Sequence, residues 1–140
     1  MKTRPAVFSV MAAMLVIALP AKAEEPVDTA QNVIEQQIDA FLHDDAAAAY
    51  ALASPSIHEK FPDEAAFFDM VRRGYAPVYR PGNYAFGRSK VSGGTILQEV
   101  LITGSDGKDW TAIYQIVRQP DGSYKINGVH MQPSAAGSDI

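Results

Sequence analysis

Hydrophobic positions along this chain change period twice. From Ala6 to Leu19 they form an apolar run, preceded by Lys2 and Arg4 and ended by Pro20. From Ala30 the spacing becomes three and four: Ala30, Val33, Ile34, Gln37, Ile38, Phe41 and Leu42, with Glu35, Gln36 and Asp39 between them. That period lays one apolar stripe along a helix, and Asp28 or Thr29 is placed to cap its start. Asp44-Asp45 reads as the cap of a second helix, Ala46 to Ala53. Carboxylates satisfy free N–H groups there and suit the positive end of the helix dipole. Ser54-Pro55-Ser56 stops that helix, and Ile57 to Lys60 is long enough for one turn. Pro62-Asp63-Glu64 opens another helix, with Ala66, Phe67, Met70 and Val71 as its buried stripe. Arg72 and Arg73 fall in its last turn, and Gly74 stands where a left-handed terminator is wanted.

From Tyr75 the period shortens to two. Pro77 and Pro81-Gly82 mark an irregular segment. Strands are predicted at Asn83–Val91, Thr95–Thr103, Trp110–Arg118 and Tyr124–Met131, joined by short glycine-containing turns. Helices first and strands afterwards imply an α+β fold: helices packed on one face of a curved four-stranded antiparallel sheet. The central strands are apolar on both sides. Ile96, Val100 and Ile102 lie opposite Leu97 and Leu101, and Ile113 and Val117 lie opposite Ala112, Tyr114 and Ile116. A sheet with one wet face alternates more cleanly. The second face is therefore expected to be wrapped by curvature or covered by a second copy of the chain, as a homodimer.

A long helix, short helices and a four-stranded meander resemble the cone-shaped fold of the nuclear-transport-factor-two-like and SnoaL-like superfamily. Residues 121–128, Asp-Gly-Ser-Tyr-Lys-Ile-Asn-Gly, are similar to its final strand. Further matching elements are Gln37-Ile38 with Ala40-Phe41, Asp44-Asp45-Ala46, Ala53-Ser54-Pro55 and Met70-Val71. Gly74-Tyr75 with Pro77-Val78-Tyr79, Gln98-Glu99-Val100 and Trp110 continue the likeness. Through these the chain resembles a family of short exported bacterial proteins, domain of unknown function 4864, over nearly all of residues 30–131. The resemblance implies a fold and a compartment. It implies no catalytic residues.

The first 23 residues read as a signal peptide, with Ala21-Lys22-Ala23 offering a cleavage site before Glu24. A periplasmic or secreted protein is expected. The apolar run is shorter than the about 20 residues of a membrane span, so no membrane attachment is expected after cleavage; an uncleaved N-terminal anchor is the alternative. Residues 24–131 then form one domain, and 132–140 a polar, disordered tail. The chain contains no cysteine, which excludes disulfides, thiol catalysis and cysteine metal sites. Cleavage removes Lys2, Arg4 and Lys22, leaving nine basic against 16 acidic residues and taking the net charge from −4 to −7. That balance disfavours nucleic acid as a partner.

Candidate chemistry is sparse. His43, His58 and His130 show no metal-ligand spacing, so neither metal nor cofactor is expected. Glu99 is a mid-strand carboxylate. With Tyr114 and His130 it could serve an isomerase or hydratase as a base tuned by desolvation. The plainer reading leaves Glu99 and His130 wet and Tyr114 packed. Between Asp69 and Glu99 the chain has no acidic residue but carries Arg72, Arg73, Arg80, Arg88 and Lys90, interleaved with Tyr75, Tyr79, Tyr84 and Phe86. Arg72, Arg73, Tyr75, Tyr79 and Arg80 are the candidate binding residues for an anionic ligand, because the guanidinium fork bonds carboxylates and phosphates in pairs. Internal balance against acidic helices is the rival explanation. The segment from Tyr75 to Tyr79 either closes the mouth of a pocket or covers the open end of the core. The leading expectation is a non-enzymatic module that binds a small ligand or another protein, with the cavity enzyme as the alternative.

Overall fold

The first helix, α1 (Pro26–Leu42), begins earlier than Asp28 or Thr29 would cap it. Glu25 precedes it without a side-chain cap, and Pro26 starts it. Proline suits that position because its ring presets φ and the first N–H would be unpaired anyway. The structure is a computed structural model that describes residues 25–134 together with Thr3, Ala13, Leu15 and Val16. The signal segment read at residues 1–23 therefore lies outside the described residues but for those four. Ala30, Val33, Ile34, Gln37, Ile38, Ala40 and Phe41 form the buried stripe of α1. Leu42, expected in that stripe, is exposed.

The two aspartates that follow have different tasks, which corrects their reading as a capping pair. Asp44 adopts a left-handed backbone, φ 52°. Its N–H donates to the Phe41 carbonyl at 3.1 Å, and the Asp45 N–H donates to the Ala40 carbonyl at 2.8 Å. This pair of bonds closes α1 in a Schellman turn, with an aspartate where glycine is usual. Asp45 alone caps α2 (Ala46–Ala51), accepting from the Ala48 N–H at 3.0 Å. That helix is shorter than expected because Ala53 leaves it to bridge Ile126 in parallel. Ser54 then caps α3 (Pro55–Lys60), a six-residue helix rather than a single turn. Asp63 caps α4 (Glu64–Gly74), which buries Phe67 and Val71 but leaves Ala66 exposed. Gly74 remains within α4 rather than ending it in a left-handed turn. The segment expected to be irregular contains a further short helix, α5 (Ala76–Tyr79).

Four strands follow: β1 (Pro81–Ser92), β2 (Thr95–Gly104), β3 (Asp109–Arg118) and β4 (Tyr124–Pro133). They pair antiparallel in the order β1-β2-β3-β4, the predicted meander. Strand β4 runs to Pro133, and the Ser134 N–H bonds the Asp109 carbonyl at 3.1 Å. The start of the expected tail thus belongs to the sheet, and residues 135–140 lie outside the described residues. Helix α1 packs across the inner face, made by Ile96, Val100 and Ile102 of β2, Ala112, Tyr114 and Ile116 of β3, and Ile126 of β4. Among the described residues no helix covers the outer face, where Leu97 and Leu101 remain 39% and 47% exposed.

Strand β1 breaks register between Phe86 and Ser89. A bulge of this kind leaves carbonyls without ladder partners. The buried Gln98 amide answers them, donating to Gly87 O at 3.3 Å and Arg88 O at 3.4 Å; it also donates to Glu99 O on its own strand at 2.8 Å, while its oxygen accepts from Gln31 at 3.2 Å. Gly87 gives room at this point. A Cβ there would stand 3.0 Å from Glu99 Oε2 and 3.2 Å from Glu99 Cβ.

Because Asp45 caps α2 by its side chain whereas Asp28 lies inside α1 and caps nothing, Asp45→Ala is expected to lower unfolding free energy by about 1 kcal/mol. Asp28→Ala should lose less than half as much. Urea denaturation of the two variants checks the order, and the reverse order would place the start of α1 at Asp28 after all.

Candidate functional site

The register separates the three residues of the cavity-enzyme alternative. Glu99 lies opposite Ile113, and Ile113 opposite His130, so Glu99 and His130 share a row on the outer face. Tyr114 pairs with Gln98 and Val129 and points to the inner face. Glu99 is already engaged: it accepts from the Arg88 N–H at 3.1 Å and from the guanidinium at 2.9 and 3.2 Å. Those bonds hold its carboxyl below the ordinary value of 4.5, the Arg88 side chain contributing most. A general base working near neutrality needs the opposite shift. Tyr114 is fully buried, and its hydroxyl has no partner among the described residues. Burial pushes its pKa up, away from acid–base use. His130 is exposed. The three therefore do not converge, which corrects the expectation that they could form one site.

The basic segment is largely balanced from within. Arg72 and Arg73 share Asp69, at 2.5 and 3.1 Å. Arg80 meets Asp44 at 2.7 Å and also donates to the Phe41 carbonyl at the end of α1. Its guanidinium lies 4.0 Å above the Tyr79 ring. The Tyr79 hydroxyl donates to Asp44 at 2.6 Å. Asp44 is consequently held below 3.8, chiefly by that hydroxyl and next by Arg80, and the Tyr79 pKa is raised. The five candidate ligand residues do not meet in one place. Arg72 and Tyr79 border a cleft with Asp44 and Asp69, whose carboxylates oppose an anion there. Arg73 is exposed on α4, Arg80 closes α1, and Tyr75 faces elsewhere.

Tyr75 lines a cavity of about 370 Å³ between α1, α3, α4, α5 and β4. Phe41, Phe67, Met70, Val71, Val78, Ile126 and Val129 supply its apolar walls. Gln37 reaches it from the core side and is 3% exposed. Its Nε2 donates to the Ala49 carbonyl at 3.1 Å, and its oxygen has no donor among the described residues. Lys60 and Asn127 complete the polar lining. Asn127 is held in place, accepting from Ser54 Oγ at 2.7 Å and donating to Gln115 at 2.8 Å. The register shift between Gln115 and Ile116 sets Asn127 apart from the regular ladder.

Of this lining, sequence reasoning singled out Tyr75 as a candidate binding residue and Val78 only as part of the Tyr75–Tyr79 segment at a pocket mouth. Gln37 sits in the helical stripe, and its polar character among apolar neighbours is the available signal. Lys60 carries none, because a lysine at a helix end is ordinary. Among the described residues no cluster of three or more His, Asp or Glu side chains could hold a metal, and no helix is long and apolar enough to cross a membrane.

These features define a class: an α+β domain with a helical layer on one face of an open meander and an apolar cavity between the layers. The chain belongs to the family described as a domain of unknown function (DUF4864), whose family model matches residues 23–138. Neither a curated protein nor a solved structure matches the chain.

Asp44 and Glu99 both titrate below their ordinary values of 3.8 and 4.5. Their stabilising effect is complete above those values and is lost as pH falls through the depressed ones. Unfolding free energy should therefore decline below about pH 4, and less steeply in an Asp44→Asn/Glu99→Gln variant. Identical acid profiles in urea titrations would assign the decline to other groups.

Proposed function

We propose that this protein is an exported, non-enzymatic module that holds a small, largely apolar molecule in the cavity between α1, α3, α4, α5 and β4. The observation that carries the reading is the cavity itself. Its volume of about 370 Å³ falls within the range of about 300–1,000 Å³ typical of small-molecule sites, and its walls are mostly apolar. The export reading is supported by the charge, apolar run and small-residue pattern of residues 1–23. The resemblance to SnoaL-like cone folds is compatible with a cavity function, though a fold of that kind hosts many activities. The cavity-enzyme alternative has lost its residues, since Glu99, Tyr114 and His130 lie apart.

Native mass spectrometry of protein purified from the periplasm tests both parts. The expected result is a mature mass beginning near Glu24, with a bound small molecule released on denaturation. Val129→Phe, which places a larger ring in the cavity, should lose that mass and keep a near-native melting temperature. A chain recovered empty, and not stabilised by decanol as an apolar probe, would end the ligand reading.

A second reading concerns the outer face. We infer that it pairs with a second copy of this chain. Leu97 and Leu101 are exposed there beside half-buried Ile113 and Val117. Arg88 and Glu99 neutralise each other on the same face, so no unpaired charge of theirs opposes a second copy. Sedimentation velocity should show a dimer that Leu101→Lys disperses. A monomer at high concentration would sink this reading and leave the cavity untouched.

A further inference from the structure

We propose that the cavity is selective for a short amphiphile with an anionic head at Lys60 and a hydrogen-bond donor at its inner end against Gln37. The inference rests on the ligand-binding reading above and names the class of ligand. Among the described residues Lys60 is the only charged side chain in the cavity lining. It is exposed at the end of α3. Among the described residues it has no carboxylate within ion-pair distance, whereas Arg72, Arg73, Arg80 and Arg88 are each paired. An ammonium on a flexible stem accepts a carboxylate, phosphate or sulfate in many orientations. Among the described residues no acidic side chain lines the cavity to oppose such a head.

The inner end has the opposite chemistry. Gln37 is 3% exposed and its amide nitrogen is already bonded to Ala49. What remains is an acceptor oxygen without a protein donor among the described residues, on a residue that lines the cavity and so within reach of a ligand there. A ligand anion would be repelled there, and a hydroxyl or N–H would be welcomed. Exposure of Lys60 and burial of Gln37 thus fix the direction of the ligand, head outward. Its size follows from the volume. At about 30 Å³ for a water-sized group, a cavity of about 370 Å³ takes about a dozen non-hydrogen atoms.

Calorimetric titration of the mature chain with decanol, decanoate and ω-hydroxydecanoate tests the proposal. Decanoate should bind about tenfold more tightly than decanol, as expected of a hydrogen bond to a charged group. The ω-hydroxy acid should bind severalfold more tightly than decanoate. Lys60→Met should erase the first difference, and Lys60→Arg should keep it. Equal affinity for decanol and decanoate, or for the two acids, overturns the proposal while leaving the cavity reading in place. Survival of the head-group preference in Lys60→Met overturns it as well. Failure of all three probes to bind overturns the cavity reading itself.

Discussion

Phe41 joins the parts of this molecule. It is buried in the stripe of α1, and its ring lies 6.4 Å from Phe67, 6.0 Å from Phe68 and 6.3 Å from Tyr79. One side chain therefore ties the helix that crosses the sheet to both α4 and α5. Its carbonyl is equally occupied, accepting from the Asp44 N–H in the turn that ends α1 and from the Arg80 guanidinium. The last carbonyls of a helix need such donors, and a cation there also meets the negative end of the dipole. Asp44 completes the joint by gripping Tyr79 and Arg80 with the carboxylate of the residue that makes the turn. Apolar packing and charge pairing thus close the same corner.

The cavity is a consequence of that joint. Phe41, Phe67, Val71 and Val78 are fixed by the corner, and Ile126 and Val129 by the sheet. The helical layer is pinned to the sheet a second time where Ser54 and Leu52 exchange backbone bonds with Ile126, at 2.8 and 2.9 Å. Between these two fastenings the layers do not fill the space completely. Close packing is the rule in protein interiors, so an open cavity of this size, lined by a glutamine oxygen and a lysine without partners among the described residues, is the feature that needs a function.

Much of the fold was legible in the sequence. The stripe from Ala30 to Phe41, the glycine-marked turns and the four β-rich runs give the elements and their order, because period and turn chemistry are local properties. Where the reading failed, a distant contact had intervened. Asp44 left its capping role for Tyr79 and Arg80, more than thirty residues away. The second helix ended early because Ala53 found Ile126. Leu42 fell outside the stripe because the turn begins there. The site was far less legible, since Gln37, Lys60, Met70 and Val129 come from four different elements.

By itself the sequence determined the α+β order, the absence of thiol chemistry, the excess of acidic residues and the cations gathered between Arg72 and Lys90. These depend on residue type and spacing alone. Only the tertiary structure decided which charges neutralise one another, that Glu99 and His130 stand on the opposite face from Tyr114, and that Lys60 and Gln37 line one apolar space. Pairing in a sheet flips every side chain with a shift of one residue, and a cavity exists only between elements that have already packed. Neither property is written in any one segment of the chain.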